Sequence, residues 1–178
     1  KACEVLSGFH VSVLRIADFG TTGLEGNDTD LTKPWFGLVK SNGVSIKDGT
    51  AGGSFGIGKS SPFAASRART VYYGTKLANG AVAFQGVSRL VTHTDADGKL
   101  TQALGYIGLR DSSNGEPVFR AVRHIDQIPM PFRRSEVGTD IWVLGYDATT
   151  DWDDDLTQCI VNNFWFAIHE GTIEFVVK

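Results

Sequence analysis

Three short stretches carry residues that could do chemistry. The first, "GGSFGIGKSS", contains Gly53 to Ser60 as GSFGIGKS, which fits the phosphate-binding pattern G-x-x-x-x-G-K-[ST]. Backbone N–H groups of Gly53, Ser54, Phe55, Gly56, Ile57 and Gly58 in such a loop can point at an anion. Lys59 offers a point charge for a terminal phosphate, and Ser60 opens the helix that follows. The second, "RIADFGTTGL", delivers Asp18 from a strand end, with Gly20 and Gly23 after it. A carboxylate there can accept a hydrogen bond from the exocyclic amine of adenine, and the glycines let backbone approach a base and ribose. In the third, "EVGTDIWVLGYD", Thr139 opens a strand with its hydroxyl available to Asp18 or to a water beside the base.

The elements that must position these residues follow from periodicity. "FHVSVLRIAD" reads as a strand ending at Asp18, and "RTVYYGTK" and "GAVAFQGVSRLVTH" as strands joined by the hairpin signal "LANG". "DADGK" is a turn, "LTQALGYIGLR" one strand, "DSSNGEP" a loop, and "GTDIWVLGYD" a strand. "PVFRAVRHIDQIPMPF" is ambiguous, its prolines arguing against regular structure. Ser60-Ser61-Pro62 offers a cap and a first-turn proline for a helix through "FAASRA". Leu156, Ile160, Phe164 and Ile168 recur every four residues on a helix that Gly171 stops, and "TIEFVVK" alternates as a last strand. Residues 19–59 are rich in Gly, Thr, Asp and Asn, with Trp35, Phe36, Leu38 and Val39 the apolar exception, which is the composition of a functional lid or of a disordered segment.

Consecutive strands with few helices predict an α+β domain, a sheet with helices on one face. A P-loop domain needs strands and helices alternating around a parallel sheet, and "VSI" before Gly53 is too short for its central strand. The P-loop stays open as the lesser alternative, with "IWVLGYD" forced into the magnesium-binding strand.

With 178 residues, 42% hydrophobic and 21% charged, the chain is expected to form one globular domain, 1–178. A net charge of -3 gives no bulk pull toward nucleic acid, and no apolar run is long enough to span a membrane. Cys3 and Cys159 are expected to be buried and reduced, as in a cytoplasmic protein. "KACEVLSG" reads as a helix end capped by Gly8, which suggests a fragment of something longer. The four histidines are scattered without metal-ligand spacing. Asp151, Asp153, Asp154 and Asp155 suit a helix N-terminus. Arg120, Arg123, Arg133 and Arg134 are expected on solvated strand faces, with a partner or nucleic-acid surface the lesser reading.

Taken in order, the Asp-Gly-Gly box, the glycine lid box and the Gly-Thr box resemble those of the GHKL ATPases, the group of Hsp90, gyrase B, MutL, histidine kinases and MORC proteins. "FGIGKSS" is closest to the Hsp90 and MORC versions, and "NNFWFAIHEGTIEF" is similar to the closing helix and strand of bacterial Hsp90-like proteins. The resemblance covers most of residues 9–178. It implies a two-layer α/β sandwich with a mixed, mainly antiparallel sheet, the Bergerat fold, and ATP with Mg2+ as ligands. It implies that Asp18 binds adenine, that Gly53, Phe55, Gly56, Gly58 and Lys59 hold phosphates, and that Thr139 supports the base. A lid over about residues 25–58 would close on ATP, and ATP would promote a homodimer or rearrange further domains of the same protein. Two departures stand out. Thr21 and Thr22 separate Gly20 from Gly23, where the family has one residue. The family's helix bearing a general-base Glu and a magnesium-binding Asn has no counterpart here, so no catalytic base can be named. An ATP-binding module that does not turn ATP over is the alternative of another class.

Overall fold

A computed structural model describes residues 7, 8, 10–41, 57–112, 117–148 and 150–178. The chain divides into two compact units, Lys1–Tyr146 and Asp147–Lys178. Among the described residues no helix is long and apolar enough to cross a membrane.

The first unit is built on strands β1 (Val13–Ala17), β2 (Thr70–Lys76), β3 (Val82–Arg89), β4 (Leu104–Ile107), β5 (Leu109–Asp111), β6 (Val118–Arg120) and β7 (Gly138–Leu144). Five form one sheet in the order β1-β7-β2-β3-β4, and β5 pairs with β6 as a separate ribbon. Every described pairing is antiparallel. The expected α+β class is therefore present, while the parallel pair that a mixed sheet requires does not occur among the described strands. β2 and β3 carry β-branched and aromatic residues that suit a pleated surface covered on both sides.

One face packs Val71, Tyr73, Ala83 and Val87 against Trp35 and Val39 from the segment before Ser41, and against Phe63 of the short helix α1 (Ser61–Ala65). The first part of the expected lid thus lies on the sheet, with Trp35 fully buried. Its apolar residues sit in a π-helical turn, Phe36–Lys40. Residues 42–56 lie outside the described ones. The other face is aromatic. Tyr72 stacks on Phe84 and Phe132 at 5.3 and 5.4 Å, and Trp142 meets Phe132 edge-on at 5.1 Å. Val82, Val122 and Ile128 complete it. Such aromatic pairs add about 0.5–1.5 kcal/mol each beyond the area they bury.

Three expectations about secondary structure need correction. "LTQALGYIGLR" is not one strand. It breaks at Gly108, where any side chain would collide with the carbonyl of Arg120, and the chain leaves the large sheet for the ribbon. Ser60 does not cap α1 through its hydroxyl. That oxygen instead accepts a hydrogen bond from Arg89 Nη1 at 2.9 Å.

The third correction falls in the second unit. Helix α2 (Trp152–His169) forms with Asp153, Asp154 and Asp155 in its first turn, and Gly171 follows it at φ 66°. Beyond it "TIEFVVK" forms no strand. The Thr172 N–H and hydroxyl both turn back to the Ala167 carbonyl and finish the helix. Alternation marks a strand only where a neighbouring strand supplies the ladder. Cys159 is exposed on α2, contrary to the expected buried thiol, and Cys3 lies outside the described residues.

The segment before Ser41 is anchored by one carboxylate. Asp28 accepts from the Trp35 indole at 2.9 Å and from the Ala121 N–H at 2.8 Å, with Arg123 Nη2 at 3.4 Å and Lys40 Nζ at 3.7 Å. Burial opposes its ionisation most strongly, but the Ala121 and Trp35 donors and the charges of Lys40 and Arg123 outweigh it. Its carboxyl is held below the ordinary aspartate value. Burial in turn pushes the Lys40 ammonium down, against the pull of Asp28. A depressed carboxyl contributes stability that is whole above its unfolded value, about pH 4. That contribution is lost as pH falls further through the folded value. Asp28→Asn is expected to cost roughly 2 kcal/mol at pH 7 and progressively less below about pH 4. Urea unfolding of both proteins across pH 2–7 checks this, and a pH-independent difference would refute it.

Candidate nucleotide-binding corner

The register of β1 on β7, Ala17 opposite Asp140, sets Asp18 opposite Thr139. The Asp18 N–H donates to the Thr139 carbonyl at 3.0 Å, and the Thr139 N–H donates back to Asp18 Oδ1 at 2.5 Å. The Thr21 hydroxyl donates to the same Oδ1 at 2.9 Å. Among the described residues nothing donates to Oδ2, and the side chain is 47% exposed. So two of the boxes, 121 residues apart, meet at one corner of the sheet. Thr139 reaches Asp18 through its main-chain N–H, where its hydroxyl was the expected group.

Gly138 makes this possible. Its φ is 134°, and a Cβ there would overlap Asp18 and the guanidinium of Arg134. Gly23, at φ 74°, brings the chain against the end of β2, where a Cβ would come 2.7 Å from the Lys76 carbonyl. Thr75 locks that approach. Its hydroxyl donates to the Gly138 carbonyl at 3.0 Å and accepts the Leu24 N–H at 2.8 Å. At Gly20, φ 69°, the place a Cβ would occupy faces open space.

The described end of the glycine box lies elsewhere. Gly53, Ser54, Phe55 and Gly56 are outside the described residues, and Ile57 to Ser60 form a 3-10 turn ahead of α1. Ser60 is bonded to Arg89, the last residue of β3, next to Ser88, which pairs with Thr70. Asp18 lies instead across β7 from Thr75, which is five residues further along β2, a run of about 17 Å at ~3.4 Å per residue. Lys59 Nζ donates to the carbonyls of Gly37 at 3.1 Å and Ser41 at 2.7 Å, and to Ser41 Oγ at 3.1 Å. Burial, and then the charge of Arg89, hold its ammonium below the ordinary lysine value. The segment from Leu24 to Ser41 links the two ends, bonded to Thr75 at one and to Lys59 at the other. At five residues, α1 is too short to supply the helix dipole that the glycine box was expected to use.

Among the described residues the corner offers an acceptor that an amine donor could meet. Asp18 Oδ2 is an open acceptor, whereas the three N–H groups of Lys59 already face oxygens of the protein. Among the described residues no group of three or more His, Cys, Asp or Glu side chains could hold a metal ion.

Sequence reasoning missed the residues beneath this corner. Asp140, fully buried, is bonded by Arg15 Nε and Nη2 at 3.2 and 3.0 Å and by Arg134 Nη1 at 2.6 Å. Arg134 is 3% exposed. The other arginines of the expected basic set also have partners: Arg120 with Asp111, Arg123 with Asp28, and Arg133 with the carbonyls of Ile128 and Asp126. The order of acids and arginines along the chain gives no hint of such pairing, because the fold brings partners from positions as far apart as Asp28 and Arg123.

The described fold and corner define an α+β protein whose antiparallel sheet carries an acid-glycine junction at one end. The chain matches no protein-family model, no curated protein and no solved structure.

Proposed function

We propose that this chain is an ATP-binding domain of the GHKL type, its sheet one layer of a Bergerat sandwich. Asp18 reads the adenine amine through Oδ2. The observation that carries the reading is the Asp18 carboxylate itself, one oxygen fixed by Thr139 and Thr21 and the other open at an exposed strand end. A buried or fixed charged acceptor discriminates strongly against ligands lacking the matching donor. Gly20, with open space where a side chain would stand, leaves room for a ligand to lie close to the backbone. Mg2+ would accompany the phosphates and neutralise part of their charge. The antiparallel pairing of the sheet supports this reading over a P-loop built from Gly53–Ser60. ATP binding would rearrange the glycine box and, through it, further domains or a second copy of the chain.

A second reading, ATP binding without turnover, is favoured by Lys59, whose donors are directed at Gly37 and Ser41. In that case the domain reports nucleotide state by binding alone.

Calorimetry with ATP and ADP, in magnesium, on the unmutated protein and on Asp18→Asn tests the proposal. Binding is expected to weaken at least about thirtyfold in the variant, the loss of a hydrogen bond to a charged acceptor of ~2 kcal/mol. Equal binding by both proteins would remove Asp18 as the adenine reader. A steady-state phosphate-release assay on the same samples separates ATPase from sensor.

A further inference from the structure

Arg134 makes more contacts at this corner than any ion pair requires. Nε donates to the Glu136 carbonyl at 2.8 Å, and Nη1 donates to the Thr139 carbonyl at 3.2 Å and to Asp140 Oδ1 at 2.6 Å. Nη2 donates to the carbonyls of Val137, at 3.1 Å, and Asp18. The Phe19 ring covers the guanidinium, its centroid 4.7 Å from Cζ. Asp140 is already held by Arg15, so neutralising it does not depend on Arg134 alone. What Arg134 alone supplies is a rigid planar fork joining the end of β1 to the turn that enters β7.

We propose that Arg134 is a positioning residue. By clamping the main chain of Asp18, Val137 and Thr139, it sets the distance at which the Thr139 N–H meets Asp18 Oδ1, and so aims Oδ2 outward as an acceptor. That Oδ2 accepts adenine rests on the function proposed above; the clamp itself does not. A lysine in the same place keeps the charge but has no fork, so it cannot hold carbonyls on two chain segments at fixed spacing.

The test compares Arg134→Lys and Arg134→Met with Val87→Ala, which damages the opposite core at a distance from this corner. The Thr139 amide proton is followed by NMR without nucleotide, and ATP affinity is measured at a temperature where all proteins are folded. Both Arg134 variants are expected to shift the Thr139 amide upfield as the short bond lengthens. They are also expected to weaken ATP about tenfold. Val87→Ala should change neither, whatever it costs in melting temperature. An unmoved Thr139 amide, or equal weakening by Val87→Ala, would overturn the proposal. Should Arg134→Met fail to fold, Arg134→Lys carries the comparison. The unmutated protein adds its own check, because a clamped guanidinium shows separate, slowly exchanging Nη signals, and averaged signals would overturn the clamp. If the unmutated protein binds no ATP, the nucleotide reading falls, while the Thr139 and Nη signals still decide the role of Arg134.

Discussion

Trp35→Ala is expected to destabilise the protein by about 3–5 kcal/mol, the cost of emptying a large buried aromatic site. Trp35 is the largest fully buried side chain and touches the sheet from a segment with little regular structure. Its removal also strips a donor from Asp28, and it removes the ring over which Arg123 lies at 4.9 Å. Trp35→Phe should cost less, because it keeps most of the ring and loses the indole N–H. Urea unfolding followed by far-ultraviolet circular dichroism reads both. A loss under about 1 kcal/mol for Trp35→Ala would mean that the segment before Ser41 detaches without harm to the sheet.

The second large effect belongs to Gly138→Ala. At φ 134° an alanine is strained wherever it points, and its methyl group would take space held by Asp18 and Arg134. We expect a loss of about 2–4 kcal/mol, together with ATP binding too weak to measure by calorimetry. Gly80→Ala is the comparison. Gly80 lies in the β2–β3 hairpin at φ 84° with open space about it, so it carries the strain without the collision. Equal effects of the two substitutions would show that backbone strain alone, and not the junction with Asp18, explains the loss at Gly138.

The sequence revealed β2, β3 and β7 well, because alternation and turn residues agree there with the local backbone preference. It offered Asp18 as one of two partners for the Thr139 hydroxyl, since both residues lie at strand ends, but not the main-chain bond that forms. It hid the burial of Arg134, because an arginine in "PFRRSE" has the composition of a surface turn, and only the register of β1 on β7 brings the Asp18 main chain over it beside Asp140. Asp28 was hidden for a related reason. Its partner Ala121 is 93 residues away, and nothing in a polar loop marks one aspartate among several as the anchor. The end "TIEFVVK" misled in the opposite direction, since period-two patterning describes a side-chain arrangement and not the presence of a hydrogen-bonding neighbour.

The position of β1 has a consequence for how the protein is made. Among the described strands it stands at the edge of the sheet with β7 its one ladder partner, and Arg15 and Asp140 stand 125 residues apart. At about 5–20 residues per second, a ribosome takes roughly 6–25 s to deliver the partner after β1 has emerged. Through that interval Val13, Leu14 and Ile16 lack their β7 partner, while β2 and β3 can already close their hairpin. Arg15 within that strand and Asp18 at its end give it charge, which lowers its tendency to pair with another nascent chain. The acceptor corner is thus among the last parts of the molecule to come into being.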